Sequence, residues 1–252
     1  MIKYIENKGL LSKIIDSFEN HDTFLTKINS VFEAYGIGVR GIDFWFQQDR
    51  EEYTSLILKT DGNIVLYLTQ NADITELSEF INVIGYYSVL FDNNCNLQLS
   101  GSSQSQGIIM KLCEKQTSKK SDSVINICNE DNYKKVYEFF NSQKCDDVKI
   151  NSYGDFVTDL FSKVRCGVSR VFSIYENDKI ISCMIATGDK VNTIIGPVAT
   201  SKDFQNCGLA RNLIYSVDDT QNVYLYCKDD EHTQIYRKMG FVPGGEWKEI
   251  YR

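Results

Sequence analysis

Long apolar runs are missing from this 252-residue chain. No stretch approaches the roughly 18 residues that a membrane-spanning helix needs. The opening MIKYIENKGLL lacks the extended apolar core of a secretory leader. Both absences point to a cytoplasmic protein with no membrane partner. Histidine is down to two residues, and none of the eight cysteines (Cys95, Cys113, Cys128, Cys145, Cys166, Cys183, Cys207, Cys227) forms a C-x-x-C pair. That removes the usual zinc frameworks, and no metal site is expected. Scattered over so long a chain, the cysteines do not suit a disulfide scaffold and read as small buried thiols in a reducing compartment. Positive charge is in deficit as well: 27 Lys and Arg against 34 Asp and Glu give a net charge of −7. Such a balance argues against nucleic acid or an anionic membrane surface as a partner.

What is present is ordinary for a globular protein, with 42% hydrophobic and 24% charged residues. The length suits two modest domains or one large one. In the first half, Asp22 can cap a helix whose apolar residues Phe24, Leu25, Ile28, Val31, Phe32 and Tyr35 follow the helical period, and Gly36 can stop it. Strand-like runs follow at Ile42–Gln47, Thr54–Lys59 and Ile64–Thr69, the last two joined by an Asp61-Gly62 turn. Asp73 and Glu76 then resemble a capping box ahead of a second helix. Strands at Tyr87–Phe91 and Ile108–Leu112 close this half, and polar Lys115–Ser123 reads as a linker.

The second half starts with a short strand at Val124–Cys128 and a helix at Asn132–Asn141. A longer helix is predicted over Tyr153–Arg165, with Tyr153, Phe156, Val157, Leu160, Phe161 and Val164 on one face. Strands Arg170–Tyr175 and Lys179–Thr187 form a hairpin. Strand Thr193–Ala199 then leads through a polar turn to Gly208 and an amphipathic helix carrying Leu209, Ala210, Leu213, Ile214 and Val217. A strand at Asn222–Cys227, a helix from Asp230 to Met239 ended by Gly240, and a closing hairpin across Pro243-Gly244-Gly245 complete the chain. Three strands, a helix and a strand occur in both halves. The expectation is therefore an α/β protein with mixed sheets: residues 1–114 as one copy of a fold, 115–123 as linker, and 124–252 as a second copy.

Two features single out Thr193–Val217. Proline is reduced to two residues, yet Pro197 falls inside a strand, where it can supply no ladder hydrogen bond. A bulge at Gly196-Pro197, where this strand parts from a neighbour, would account for it and would free backbone groups for an amide-bearing ligand. Gly208 opens the following helix, whose first N–H groups lack intrahelical partners and suit phosphate oxygens. An ordinary strand–loop–helix connection has the same spacing. Here the chain resembles a known family. Gln205-Asn206-Cys207-Gly208-Leu209-Ala210 fits the [Arg/Gln]-x-x-Gly-x-[Gly/Ala] signature of the GNAT superfamily of acyl-CoA-dependent N-acetyltransferases. Downstream, Tyr236-Arg237-Lys238-Met239-Gly240-Phe241 resembles that family's Tyr-x-x-x-Gly-Phe segment. The resemblance covers roughly residues 121–252.

That resemblance implies a GNAT-like fold and transfer of an acetyl group from acetyl-CoA directly to an amine of a small molecule or a protein. By matching motif positions, Val198, Ala199 and Thr200 would lie along the pantetheine arm. Gln205, Asn206, Cys207, Gly208, Leu209, Ala210 and Arg211 would wrap the pyrophosphate, and Asp229 stands where relatives commonly have an asparagine that contacts the arm, although capping the helix that follows is the favoured reading. Tyr236 matches the frequent general acid, and a phenol of ordinary pKa about 10 keeps its proton at neutral pH. His232, one turn earlier, could tune or replace it. The resemblance also implies that the connection Ser142–Ser152 lies over the acceptor site. The base is missing: Thr193–Ala199 has no carboxylate, and Glu176, Asp189, Glu246 and Glu249 are equal candidates. In the first half the equivalent loop, Thr69-Gln70-Asn71-Ala72-Asp73, has no glycine and puts a carboxylate at the helix start, so no CoA is expected there. Support, a cleft wall or a homodimer surface are its expected roles. A non-catalytic acyl-CoA-binding or scaffold protein is the alternative to an enzyme.

Overall fold

The computed structural model describes residues 1–115, 125–129, 132–143, 152–217 and 221–252. The predicted strand at Val124–Cys128 is therefore described only in part. The predicted linker and the connection Ser142–Ser152 lie almost wholly outside these residues. Contacts divide the chain into two compact units, and the division is not a single cut. One unit gathers residues 1–110, 226–235 and 243–252, and the other 111–225 and 236–242.

In the first unit, β1 (Ile2–Tyr4) is followed by α1 (Lys8–Ser17) and α2 (Thr23–Tyr35). The antiparallel meander β2 (Ile42–Asp49), β3 (Glu52–Thr60) and β4 (Asn63–Leu68) comes next. After α3 (Ile74–Ile84), β5 (Ser88–Asp92) returns parallel to β4. The caps are those the sequence announced: Asp22 Oδ1 accepts from the N–H groups of Phe24 and Leu25, and Gly36 ends α2 at φ 73°. The capping box at α3 is only half formed. Asp73 Oδ1 accepts from Glu76 N, but the Asp73 N–H donates to Gln47 Oε1, and Glu76 turns to Ile2 N and Gln47 Nε2. A core of Ile57, Ile64, Leu66, Leu77, Ile81, Val89 and Phe91 joins α3 to its strands.

The second unit repeats that order. It runs β7 (Ile125–Ile127), α4 (Tyr133–Ser142), α5 (Tyr153–Arg165), β8 (Ser169–Glu176), β9 (Lys179–Gly188), β10 (Asn192–Thr200), α6 (Leu209–Tyr215) and β11 (Asn222–Cys227), the last as far as Leu225. Pairings repeat too: β7, β8, β9 and β10 are antiparallel neighbours, and β10 runs parallel to β11. α4 and α5 pack Val136, Phe139, Phe140 and Leu160 onto Val171, Cys183 and Ile185 of the sheet.

The predicted closing hairpin does not form. After α7 (Asp230–Arg237), the chain continues as one strand, β12 (Phe241–Tyr251), straight through Pro243-Gly244-Gly245. Its Trp247–Tyr251 segment pairs antiparallel with Asp92–Ser88 of β5, inside the first unit. The reason is non-local: a turn-prone tripeptide stays extended when its far side finds a ladder elsewhere. On the other side of β12 lies β6 (Ser103–Leu112).

Candidate active site

β10 is the strand that sets the site. Its pairing with β9 comes in two stretches, Thr193 to Ile195 opposite Gly188 to Ala186, and Val198 to Thr200 opposite Met184 to Ser182. The register slips between Ile195 and Val198, at Gly196-Pro197, where a donorless residue costs the ladder nothing. On its other edge β10 pairs with β11 only from Asn192 opposite Asn222 to Ile195 opposite Leu225. β10 runs on to Thr200, and among the described residues no strand pairs with that edge beyond Ile195.

Alternation then decides which peptide groups are presented. The Ser201 N–H donates to Ile181 O at 2.8 Å. In an antiparallel ladder, paired groups recur every second residue. Ala199 therefore exchanges hydrogen bonds with Cys183, and its carbonyl also accepts from Ser182 Oγ at 3.2 Å. Val198 and Thr200 turn their peptide groups to the unpaired edge. Of these, the Thr200 carbonyl accepts from Gln205 Nε2 at 3.3 Å.

A short 3-10 turn, Lys202–Phe204, leads into the loop. Asn206 (φ 61°) and Gly208 (φ 78°) are both left-handed, and the second needs glycine for a further reason. A Cβ on Gly208 would lie 3.1 Å from a guanidinium nitrogen of Arg211, so the arginine folds back against the loop. Arg211 Nε and Asn212 Nδ2 are both buried without a hydrogen-bond partner. No side chain caps α6. Cys207 is exposed, with its thiol toward Gln205 O, whereas Leu209 is buried and offers the loop only backbone. Ala210 is half-buried. The structure thus brings Val198, Thr200, Gln205, Asn206, Cys207, Gly208 and Arg211 onto one strand–loop–helix.

The remaining predicted residues sit on or beside α7. Tyr236 is half-buried and meets Phe241 edge-on at 5.7 Å between ring centres. Asp229 is a helix cap: Oδ1 accepts from His232 N and Oδ2 contacts His232 Nδ1, each at 2.8 Å, and the carbonyl accepts from Thr233. Those contacts with His232 hold its carboxyl below the usual range. Among the candidate bases, Asp189 Oδ1 accepts from Val191 and Asn192 N–H, Glu246 accepts from Asn93, and Glu249 accepts from the Tyr251 hydroxyl. Glu176 is exposed beside the β8–β9 turn. Cys183 and Cys227 are buried, which pushes both thiols up and leaves them poor nucleophiles. Sequence reasoning missed the Gln205–Thr200 bond and the partnerless Arg211 Nε. Neither has a sequence signal, since both depend on where a side chain folds back.

A parallel strand pair that parts half-way, inside a β-α-α-β-β-β-α-β unit, decides the comparison. This is the fold of the GNAT acetyltransferases. A GNAT-family acetyltransferase from Colwellia psychrerythraea aligns over 100% of this chain and 99% of its own, at TM-score 0.61 and 9% identity. A tandem GNAT protein from the clavulanic acid biosynthesis pathway aligns over 99% of this chain and 97% of its own, at TM-score 0.61 and 7% identity. A Drosophila protein gives TM-score 0.63 at 11% identity over 99% and 98%. No family model and no curated protein matches the sequence. Among the described residues, no group of three His, Cys, Asp or Glu side chains is placed to hold a metal ion, and no helix is long and apolar enough to cross a membrane.

Proposed function

We propose that the chain is an N-acyltransferase that passes an acetyl group from acetyl-CoA directly to the amine of a small molecule or a protein. One observation carries the reading: the edge of β10 that presents Val198 and Thr200 peptide groups without a strand partner. Exposed peptide groups in a row suit a ligand with amides spaced along a chain, as the pantetheine arm has. The residues nearby fit the rest of the cofactor. Arg211, with its buried partnerless Nε, supplies a fixed cation for phosphate oxygens, and Gly208 allows close backbone approach. When bound, acetyl-CoA supplies an acyl group activated as a thioester. The Tyr236 hydroxyl would hold the proton that the departing sulfur takes. A second CoA in the first unit is not part of this reading, because Asp73 already fills the start of α3 and its carboxylate repels a diphosphate.

The alternative, a non-catalytic acyl-CoA-binding scaffold, is favoured by one observation: Glu246 and Glu249 each accept a hydrogen bond elsewhere, and Asp189 commits Oδ1 to backbone N–H groups, leaving only its buried Oδ2 without a partner. An alkylamine is neutral in only about one molecule per thousand at pH 7, so turnover needs a proton acceptor. Calorimetry with CoA, followed by a thiol-release assay over a panel of amines, separates the readings. The enzyme reading expects CoA binding and release, with Tyr236→Phe keeping affinity and losing roughly a hundredfold or more in kcat. Binding with no release from any amine would establish the scaffold, and no binding would end both.

A further inference from the structure

Acyl transfer needs a group that takes a proton from the amine, and the carboxylates singled out from sequence leave that group unassigned. Asp22 has the chemistry for it. As the cap of α2 it ties only Oδ1, which accepts from the Phe24 and Leu25 N–H groups at 2.8 and 2.9 Å. Among the described residues nothing donates to Oδ2. Burial, opposed by the two N–H bonds and assisted by Asp92 at the end of β5, raises the carboxyl to about 6. Its other titratable neighbours are the Tyr67 hydroxyl on β4 and the Tyr226 hydroxyl on β11, both pushed up by burial first and by Asp22 as well. The nearby cation is Lys27, one turn after Thr23, whose ammonium lies 4.5 Å from the centre of the Tyr226 ring. Capping does not account for a carboxylate at this position, since serine or asparagine caps equally well with no charge to desolvate. A half-buried carboxyl with one oxygen fixed, the other open, and an affinity for protons near neutral pH suits a proton acceptor.

The start of α2 packs on the end of β11. β11 pairs with β10 up to Leu225, so Tyr226 is its first residue past the point where the two strands part. The Tyr226 hydroxyl lies 2.8 Å from Thr23 Oγ1, and its ring meets Phe24 edge-on at 6.3 Å. From Tyr226 the chain runs through Asp229 into α7, the helix that carries Tyr236. Asp22, Thr23, Phe24, Asp92, Tyr226 and Asp229 all belong to the first compact unit. We propose, resting on the acyltransferase reading, that Asp22 is the proton acceptor of the reaction. Asp22 takes one proton from the substrate ammonium, which frees the nitrogen lone pair to form the C–N bond as the C–S bond breaks. Tyr236 gives its proton to the departing sulfur and regains one from the same nitrogen. Asp22 then releases its proton to water, so that thioester and ammonium become amide, thiol and one free proton.

The test compares the full-length parent with Asp22→Asn and Asp22→Ser, both of which keep a cap. CoA binding is followed by calorimetry, and thiol release from acetyl-CoA is followed with 1-aminobutane, 2-phenylethylamine and lysine amide as acceptors. The parent is expected to show a kcat/KM that falls as pH drops through about 6, where the Asp22 carboxyl takes up its proton. Each variant should bind CoA like the parent, lose roughly a hundredfold or more of kcat/KM at pH 7.5, and lack that fall. Asp22→Asn should do so while melting no lower than the parent, a combination that a purely structural cap does not produce. Parent-like turnover in the variants, a fall near pH 6 retained in both, or a loss that comes only with lost CoA affinity would overturn the proposal and leave the acyltransferase reading standing. A parent that binds CoA yet releases thiol with none of the amines would remove both.

Discussion

Proline substitution at two neighbouring positions of β10 tests the unpaired edge. If ladder alternation is as the Ser201–Ile181 bond implies, the Val198 N–H points to the open edge and the Ala199 N–H to Cys183. Proline removes one donor and is tolerated only where that donor is unused by the sheet. Val198→Pro should therefore fold, with a melting temperature within a few degrees of the parent, because no ladder bond is lost. Its cost falls on the ligand: one amide acceptor of CoA enters the site without a donor, about 1–3 kcal/mol, or roughly 5- to 150-fold in Kd. Ala199→Pro takes a donor from the ladder and sits in buried surroundings, so its damage should appear as about 3 kcal/mol or more of lost stability. Circular dichroism melts and calorimetry with CoA read the two effects apart. The reasoning is refuted if Val198→Pro binds CoA like the parent, or if Ala199→Pro melts like the parent while binding is lost.

Arg211→Gln should weaken CoA about tenfold and flatten the salt dependence of binding, because a single cation opposite phosphate is removed; equal affinity across salt in both proteins would show that Arg211 faces no phosphate. Asp22 gives a pH prediction in the first unit. Burial, opposed by the Phe24 and Leu25 N–H bonds and assisted by Asp92, raises its carboxyl from 3.8 to about 6. A raised carboxyl favours the folded state most below pH 3.8, and that contribution is lost as pH climbs through about 6. Asp22→Asn keeps an oxygen for the cap but cannot ionise. It should be more stable than the parent by up to about 3 kcal/mol at pH 7.5, with the gap about 1.4 kcal/mol smaller at pH 5. Urea titrations at the two pH values measure it, and a pH-independent gap would show that Asp22 ionises without penalty.

Much of the fold was legible because its signals are local. Asp22 and Gly36 bracket α2, and the helix predicted at Tyr153–Arg165 has those same bounds in the structure, since caps and apolar period act within a few residues. β1 and α1 went unread, although Asn7 caps α1 and Leu11, Ile14 and Ile15 carry its buried stripe. The polar start of β6, Ser103–Gly107, also gave no strand signal, as it has no apolar alternation to show. The half-formed capping box at α3 was unreadable for a different reason: Gln47, far away in sequence, occupies the Asp73 N–H that Glu76 was expected to take.

The candidate site divides along the same line. Its strand edge was legible in part: Pro197 marks the point where the register of β10 against β9 slips, and on the opposite edge the pairing with β11 stops just before it, at Ile195, which leaves the backbone beyond unpaired. The proton acceptor was not legible because a carboxylate becomes a base through its three-dimensional neighbours: Asp189 commits Oδ1 to the Val191 and Asn192 N–H groups while its buried Oδ2 has no partner, and Glu246 lies within β12, where it accepts from Asn93. The strand that closes the first unit shows the same limit at larger scale. Pro243-Gly244-Gly245 carries every local mark of a turn, yet Trp247–Tyr251 finds its ladder on β5, and a ladder of that length outweighs the preference of three residues.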